Sequence, residues 1–312
     1  MKVLVTGGAG FVGSHFVRAA LADRLPGLEG AHVTVLDKLT GGTFDNLGEV
    51  AHDKRLDFLP GDVSDAALVT MLVARHDTIV HLATEPGITD VVGAHVLLSA
   101  ALQSNIGRFI VVSGAEVYGS VSSGSSSERT PLNPTSPDAA GKASADLLAL
   151  AHHRTHGLPV TIVRPTSTYG SHQHPANPIP RVVTRLLDGR SAPLPGDGSQ
   201  VRDWLHVYDL ARALAMVLSD GRPGEIYHVG GSVELSHRDL TALLLEQCGA
   251  GWDRVAPEPE PPGHDARHAL DDDRIRHELG WRPRVEFDAG LHATVRWYRE
   301  HRAWWEPLLP YA

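Results

Sequence analysis

The stretch VTGGAGFVGSH, Val5 to His15, decides the fold, because it joins a short apolar strand to the start of a helix. It contains the spacing Gly8-x-Gly10-x-x-Gly13 within the overlapping spacing Gly7-x-x-Gly10-x-x-Gly13. Glycines at these positions allow a tight turn, let backbone amides approach a pyrophosphate and let the helix pack closely on the strand. A strand, a glycine turn and a helix in this order predict the first unit of a dinucleotide-binding fold.

Acidic residues at the ends of the next two strands favour NAD as the dinucleotide. The second strand, HVTVLD, ends in Asp37, which lies 24 residues beyond Gly13. A carboxylate there accepts both ribose hydroxyls of NAD and repels the 2′-phosphate of NADP, although the adjacent Lys38 weakens this preference. Asp62, in the segment GDVSD, is either an adenine contact or a helix cap.

Apolar runs and helical patterns alternate through the first half of the chain. The runs are KVLVT, HVTVLD, RLDFLPGDV, TIVHLA, RFIVVS and PVTIVRP, and helices are predicted over 13–22, 66–74, 92–103 and 141–156. Continuous apolar runs suit strands that are buried on both faces, so the pattern predicts a Rossmann-type α/β fold with a doubly wound parallel sheet.

The second half of the chain is richer in Pro and Gly and predicts a smaller substrate-binding lobe. We expect a NAD-binding domain over 1–165 and a substrate lobe over 166–312, with part of 205–230 returning to the first domain. The serine-rich segment 119–130 is predicted to be a mobile surface loop.

Composition excludes several classes of protein. The 312 residues are 42% hydrophobic and 21% charged, which is ordinary for a globular protein, and the formal net charge of -9 disfavours nucleic acid and anionic membranes as partners. Cys248 is the only cysteine, is expected to be a buried or half-buried helix residue, and fits a reducing cytoplasm. The chain enters its first strand at once and has no apolar run of ~20 residues, so we expect a cytoplasmic protein without a signal peptide or membrane span.

Motifs along nearly the whole chain resemble the extended short-chain dehydrogenases/reductases, and most of all the dTDP-glucose 4,6-dehydratases. The resemblance is carried by TGGAGFVGSH, LDKLTGGTFDNL, HLATE, EVYGS, GDGSQVRDWLHVYD and PGHD, among other segments. It implies that NAD removes hydride from C4 of a sugar and returns it to C6, while a tyrosine takes the 4-hydroxyl proton. It also implies a glutamate that takes the C5 proton, an aspartate that protonates the leaving 6-hydroxyl, and a lysine that holds the nicotinamide ribose.

The resemblance also implies which residues bind the ligands. The predicted NAD contacts are Gly7, Gly10, Phe11, Val12, Gly13, Asp37, Lys38, Asp62, Val63, Leu82, Ala83, Thr84, Ser113 and Lys142. The predicted contacts to a nucleotide-diphosphate sugar are Glu85, Thr168, Arg202 and His264. Arg202 is expected to pair with the diphosphate, and the alternative is an ion pair at the surface or between the lobes.

The chain departs from the family pattern at the catalytic positions. Asp138, in the segment SPDAAGK, stands where the family has its catalytic tyrosine, whereas Lys142 is kept. Gly114 and Ala115 replace a threonine and an aspartate, and Glu116 keeps the glutamate. The stretch after Glu85 is also shorter than the family pattern by about a dozen residues.

Glu116, Asp138 and Lys142 are therefore the predicted catalytic residues, each with an open alternative. Glu116 is either the C5 base or a ligand contact, or else a helix cap or ion-pair partner. Asp138 lies four residues before Lys142 and so on the same helical face, but a carboxylate is a much weaker base toward an alcohol than a phenolate. Its alternative role is that of a first-turn acid that the helix dipole favours.

Other candidate side chains have simpler interpretations. We expect His152, His156, His172 and His174 to be solvated and to bind no metal. Tyr118 and Tyr169 match family positions with other roles, so we do not expect either to replace the missing phenol.

The leading hypothesis is a NAD-binding nucleotide-sugar enzyme of the 4,6-dehydratase type with an altered acid/base set, which performs epimerisation or a modified elimination next to a carbonyl. The first alternative is a catalytically silent NAD-binding pseudoenzyme that regulates or assembles with a partner. The second is a genuine dTDP-glucose 4,6-dehydratase that uses Asp138. The resemblance further implies a homodimer through two helices of each subunit, one after the shortened stretch and one that begins near Lys142.

Overall fold

The computed structural model describes residues 1–260, 263 and 265–309, and the NAD-binding half is built on a seven-stranded parallel sheet. Numbered in chain order, its strands are β1 (Lys2–Thr6), β2 (His32–Asp37), β3 (Leu56–Pro60), β4 (Thr78–His81), β5 (Arg108–Val112), β6 (Val160–Pro165) and β10 (Ile226–Val229). They lie in the order β10-β6-β5-β4-β1-β2-β3. All six predicted strands are therefore confirmed, and so is the doubly wound fold.

Helices cover both faces of this sheet. They are α1 (Phe11–Leu21) and α6 (Val207–Asp220) on one face, and α2 (Ala66–Val73), α3 (Ile88–Leu102) and α4 (Pro137–His156) on the other. Because the strands are buried by helices on both sides, their sequences are continuous apolar runs without alternation. Helix α3 begins four residues earlier than predicted, and α4 begins at Pro137, where the Ser136 hydroxyl accepts the Ala139 amide as its cap.

The remaining elements form a lobe beside the carboxyl ends of the strands. Its strands are β7 (Ser167–Tyr169), β8 (Ala192–Pro195), β9 (Val201–His206), β11 (Val233–Ser236), β12 (Val255–Glu258) and β13 (Arg267–His268). Its helices are α5 (Pro178–Leu187), α7 (His237–Cys248), α9 (Phe287–Glu300) and α10 (Arg302–Trp305), whereas α8 (Asp273–Leu279) packs against α6 and β10 of the NAD-binding half. Short 3-10 helices span Phe44–Val50, Ala115–Tyr118, Trp252–Arg254 and Glu306–Leu308.

The chain crosses between the lobe and the main sheet. Strand β9 leads directly into α6, and β10 then pairs with β6 at one edge of the seven-stranded sheet. A separate apolar core holds α5, α7 and α9 against β9, and Cys248 is half-buried at its edge, as expected.

The serine-rich segment does not behave as a free surface loop. Ser126 is buried and forms a parallel bridge with Leu270, and Arg267 donates to the Gly124 carbonyl. The prediction of a mobile surface loop is therefore wrong at the centre of the segment, because small serine side chains let the backbone dock against the strand β13 region. Among the described residues, no helix is long and apolar enough to cross a membrane.

Candidate active site

A cleft of about 560 Å³ runs along the carboxyl ends of β1 to β6. Every residue that the sequence predicts to hold NAD lines it, and so do Glu116, Glu85, Thr168 and Arg202. The cleft lies where the strand order reverses between β1 and β4, which is the usual ligand site of a doubly wound sheet. The predicted contact His264 lies outside the described residues.

The glycine loop brings free backbone amides to this cleft. Gly7 has φ +72°, and a Cβ there would lie 2.7 Å from the Ala83 Cα. A Cβ on Gly13 would lie 2.7 Å from the Gly8 Cα, so helix and loop touch through backbone alone. Helix α1 begins after Gly10 without a side-chain cap, which leaves its first amides and the positive end of its dipole for a phosphate.

Asp37 is held in place for the adenosine ribose. Its carboxylate is buried and accepts the Ala9 amide at 2.9 Å and the Leu39 amide at 2.8 Å. Each carboxylate oxygen keeps a second lone pair, so the fixed group can still accept the ribose hydroxyls. A bound 2′-phosphate would meet this anion directly, which favours NAD.

Lys38 does not offset that preference, because two carboxylates hold it. Its Nζ lies 2.7 Å from Glu85 Oε1 and 3.4 Å from Asp62 Oδ2. The hydrogen bond to Glu85 raises the pKa of Lys38, with a further contribution from Asp62. The structure thus brings Glu85, predicted as a substrate contact, to the cofactor side of the cleft, and it uses Asp62 as a partner for Lys38 as well as for the Ser64 amide.

Glu116 and Lys142 form an ion pair at the other end of the cleft. Their Oε1 and Nζ atoms are 2.5 Å apart, and the two side chains are about one-third and one-quarter exposed. Burial alone would raise the pKa of Glu116, but the Lys142 ammonium outweighs burial and lowers it. In the same way burial opposes the charge of Lys142, and the Glu116 carboxylate raises the pKa of Lys142 above its ordinary value. Glu116 is therefore an ionised base beside the predicted nicotinamide ribose contact.

Gly114 makes this arrangement possible. A Cβ at Gly114 would lie 2.6 Å from the Glu116 carboxyl carbon and 2.7 Å from its Oε1. The Glu116 carboxylate thus fills the space that a side chain at position 114 would need. The change to glycine and the position of Glu116 are linked.

A buried polar network supports the floor of the cleft. Ser113 donates to Asp146 Oδ2 at 2.9 Å, and Arg164 binds the same carboxylate at 2.8 Å. Burial raises the pKa of Asp146 to about 6, although Arg164 and Ser113 oppose that shift. Arg164 also donates to the hydroxyl of Tyr118, which lies 2.6 Å from His228 Nε2.

Both tyrosines considered as substitutes for the phenol, Tyr118 and Tyr169, lie outside the cleft lining. Tyr118 is engaged in this network, and burial raises its pKa. Tyr169 is buried against Phe287, and burial raises its pKa too. Neither lines the cleft.

Asp138 stands apart from the other predicted catalytic residues. It is exposed, it does not line the cleft, and its Oδ1 accepts the Gly87 amide at 3.1 Å. Lys142 lies one turn further along α4 and points to Glu116 instead. The structure therefore brings Glu116 and Lys142 together but places Asp138 at the rim.

Arg202 is the cation best placed for a diphosphate. It is 8% exposed, lines the cleft and donates to the Val201 carbonyl, and within the described ranges it has no carboxylate within 4.0 Å. Burial lowers its pKa, with Asp265 and Glu116 opposing at longer range. A buried cation of this kind fits an anionic ligand better than the alternative of an ion pair.

Several lining residues, from both the NAD-binding half and the lobe, were not predicted from the sequence. They are Thr40, Gly41, Gly42, Thr166, Ser167, Gln173, Asn177, Pro178, Trp204 and His237. Two of them carry buried polar atoms without a partner in the described part of the chain, Trp204 Nε1 and Gln173 Oε1. A buried unpaired donor and acceptor that line a cleft suit a polar ligand. Thr40, Gly41 and Gly42 follow β2, Gln173 and Asn177 lie in the loop YGSHQHPANPIP, Trp204 lies within β9, and His237 begins α7.

The predicted solvated histidines are only partly solvated. His172 has φ +62°, lies 3.1 Å from Arg18 Nη1 and packs on Trp297 at a ring distance of 4.3 Å. Burial lowers its pKa to about 2, with help from the Arg18 charge. The prediction is wrong for His172 because a lobe helix covers the loop. No group of three or more His, Cys, Asp and Glu side chains that could hold a metal occurs in the ranges that the structure describes.

These features define a Rossmann-type protein with a dinucleotide cleft and a buried cation, Arg202, in the lining of that cleft. The model of one family, GDP-mannose 4,6 dehydratase, matches residues 4–294. The chain belongs to this family, as the sequence resemblance predicts, and it is an NAD-dependent enzyme of the sugar-nucleotide dehydratase and epimerase type.

Relatives cover the whole chain. A dTDP-glucose 4,6-dehydratase of Streptomyces niveus is 50% identical over 321 aligned positions, which cover 99% of this chain and 96% of that protein. One from Actinoplanes sp. is 49% identical, with 98% and 100% of the two chains covered. The first alignment is longer than this chain of 312 residues, so about a dozen of its positions are gaps in this chain.

Solved structures agree in fold and confirm the cofactor. A dTDP-glucose 4,6-dehydratase from Streptomyces venezuelae, with NAD and TYD bound, superposes with a TM-score of 0.97 at 49% identity over 99% of this chain and 100% of that one. A UDP-glucose 4-epimerase from Thermotoga maritima, with UDP-glucose, gives a TM-score of 0.87 at 28% identity over 96% and 99%. NAD is thus the cofactor of this fold, and the residues present fit it.

Proposed function

We propose that this protein binds dTDP-glucose beside NAD and catalyses the 4,6-dehydration of the sugar. The observation that carries the proposal is identity at about half of all positions, over nearly the full chain, to enzymes named dTDP-glucose 4,6-dehydratase. The intact cofactor cleft supports it. Among the hypotheses from the sequence, the comparisons favour this one over a changed reaction.

Glu116 supplies the base that the reaction needs at C5. When bound, NAD would supply the acceptor for the C4 hydride and the donor that returns it to C6. The C4 ketone acidifies the C5 proton, which Glu116 accepts as hydroxide leaves C6. The proton released from the 4-hydroxyl completes the leaving water, and Glu116 returns its proton to C5 when hydride reaches C6. Lys142 keeps Glu116 ionised, because the ion pair lowers the pKa of Glu116.

Arg202 supplies the charge that binds the nucleotide. The dTDP diphosphate is a dianion or more, and Arg202 is a buried guanidinium that lines the cleft. A planar guanidinium can bind two phosphate oxygens at once, so it fixes orientation as well as charge.

The departures at Asp138 and Ala115 predict a slow enzyme. No phenol stands at position 138, and the Asp138 carboxylate is a far weaker base toward an alcohol and does not line the cleft, so the 4-hydroxyl proton lacks a strong, well-placed acceptor. We therefore expect proton and hydride removal at C4 to limit turnover.

A second candidate function rests on Ala115. The family's aspartate, which protonates the leaving 6-hydroxyl, is an alanine here, whereas the C5 base remains. This combination favours proton removal next to the carbonyl of a substrate that arrives already oxidised, as in epimerisation. A silent NAD-binding subunit is the third possibility, and it requires neither reaction.

The test is conversion of dTDP-glucose by the protein loaded with NAD. We expect a 4-keto sugar nucleotide, which absorbs in base, and we expect Glu116→Gln to slow its formation by about 100-fold or more, as loss of a general base does. Glu29→Gln changes an exposed glutamate and should leave the rate unchanged. Formation of the product at the same rate by Glu116→Gln would contradict the role of Glu116.

A second substrate separates the alternatives. dTDP-4-keto-6-deoxyglucose is offered in deuterated water, and incorporation at C5 without conversion of dTDP-glucose would favour the second candidate. If the protein binds NAD but neither converts dTDP-glucose nor exchanges the C5 proton, the hypothesis of a silent NAD-binding subunit is the one that remains.

We also propose that the protein works as a cytoplasmic homodimer. One cysteine among 312 residues suits a reducing compartment, and apolar side chains are exposed on α3 and α4. The dimer is tested below.

A further inference from the structure

The shortened stretch after Glu85 packs directly on the first turn of α4. Its turn reaches α3 through Gly87, which has φ +58° and ψ -125°, a backbone conformation that side chains with a Cβ rarely adopt. A Cβ on Gly141 would lie 3.0 Å from the Gly87 carbonyl carbon and closer still to its oxygen. The close approach of the two backbones therefore requires glycine at position 141, and the conformation of the turn favours glycine at position 87.

Asp138 fixes the turn at the same place. Its Oδ1 accepts the Gly87 amide at 3.1 Å. Helix α4 already has a cap in Ser136, so its end does not depend on Asp138. Asp138, which the resemblance aligns with the family's tyrosine, thus bonds the turn after Glu85, in the stretch that the resemblance predicts to be shortened.

The other end of the turn is fixed too, and the turn carries a cleft residue. The Glu85 amide donates to the buried Asp90 carboxylate at 3.0 Å. The Glu85 side chain then reaches Lys38 at 2.7 Å, across the end of β1. A turn held at both ends therefore holds the partner of Lys38 over the NAD cleft.

We propose that Asp138 is a positioning residue: with Gly87 and Gly141 it anchors the Glu85–Gly87 turn, and through Glu85 and Lys38 it sets the affinity for NAD. This role goes beyond the proposed reaction and needs no contact between Asp138 and the sugar. It explains why Asp138 and Lys142, four residues apart, face different partners.

Two substitutions at Asp138 separate an anchor from a base. The side-chain amide introduced by Asp138→Asn could not act as a carboxylate base, but its oxygen would still accept a hydrogen bond from the Gly87 amide. This variant should therefore have an unchanged affinity for NAD, and the exchange of the Gly87 amide should remain slow. Asp138→Ala removes the acceptor. We expect Gly87 exchange to become about tenfold faster and the NAD dissociation constant to rise about three- to tenfold, as loss of one hydrogen bond gives.

The measurements are hydrogen exchange by NMR and NAD titration by calorimetry on the full chain, with a melting curve to show that each variant is folded. Gly141→Ala should act like Asp138→Ala, since its methyl group would push against Gly87. Gly48→Ala is the matched control, because nothing lies within 4 Å of a Cβ there.

A double-mutant cycle tests the route through Glu85. If Asp138 acts through Glu85, then Asp138→Ala should weaken NAD binding much less in the Glu85→Gln variant than it does in the unchanged protein. Additive losses, or equal NAD affinity for the Asp138→Ala variant and the unchanged protein, would overturn the proposal. NAD binding needs no turnover, so this outcome is independent of whether dTDP-glucose is converted.

Discussion

The ion pair between Glu116 and Lys142 is the residue-scale feature on which the proposed chemistry depends. Burial disfavours the charged form of both groups, but the attraction between the two charges outweighs this effect. The pKa of Glu116 is therefore lowered and the pKa of Lys142 is raised. The pKa of Glu116 is lower in the folded protein than the value of 4.5 that it has in an unfolded chain. Its ionised form therefore stabilises the fold at pH values above about 4.5, and this stabilisation is lost as the pH falls further.

Lys142→Met should reverse the sign of this pH dependence. Without the ammonium, burial would raise the pKa of Glu116, so the variant should lose stability relative to the unchanged protein as the pH rises through 4.5. At pH 7 we expect a loss of about 1–2 kcal/mol in the free energy of unfolding, because solvent partly screens the pair. Urea unfolding between pH 4 and 8 measures it.

The control for that experiment is Lys54→Met, which changes an exposed lysine. A difference between Lys142→Met and the unchanged protein that stays constant across this pH range would refute the ionised pair.

At the scale of elements, the glycine loop and α1 form the part of the site that sequence reasoning predicts best. Gly13→Ala would place a methyl group 2.7 Å from the Gly8 Cα, so the helix must move away from the loop. We expect a loss of about 1–3 kcal/mol in stability, as overpacking gives, and NAD affinity at least about tenfold weaker. Calorimetric titration and thermal melting measure both.

Gly107→Ala is the control for this substitution, since its nearest neighbour would be the Asp77 carbonyl oxygen at 3.6 Å. Unchanged NAD affinity in Gly13→Ala would show that the loop does not carry the pyrophosphate.

The six strands, the glycine loop and the position of Asp37 in the cleft could be predicted because their signals are local: apolar runs, glycine spacing and an acid at a strand end. The anchoring of Gly87 to Asp138 could not, because the approach of Gly87 to Gly141 depends on packing between residues far apart in sequence. The i, i+4 rule placed Asp138 with Lys142, yet residues at that spacing differ by about 40° and about 6 Å along the axis. That offset separates a rim residue from a cleft residue.

For the whole molecule, the exposed apolar side chains of α3 and α4 favour association. Val92 is 44% exposed and Leu147 is 56% exposed. Leu147→Glu should convert the proposed homodimer to a monomer, because a buried unpaired charge is costly. Analytical ultracentrifugation measures the mass, and Met71→Glu, at an exposed residue of α2, is the control. A monomer in the unchanged protein would contradict the dimer.

The central claim is dehydration of dTDP-glucose with internal return of hydride, and a deuterium label tests it most directly. The NAD-loaded protein is given dTDP-glucose that carries deuterium at C4, and the product is analysed by NMR and mass spectrometry. We predict a 4-keto-6-deoxy sugar with the deuterium at C6, formed more slowly than from unlabelled substrate. Substrate recovered with its label still at C4, while NAD is bound, would contradict the claim.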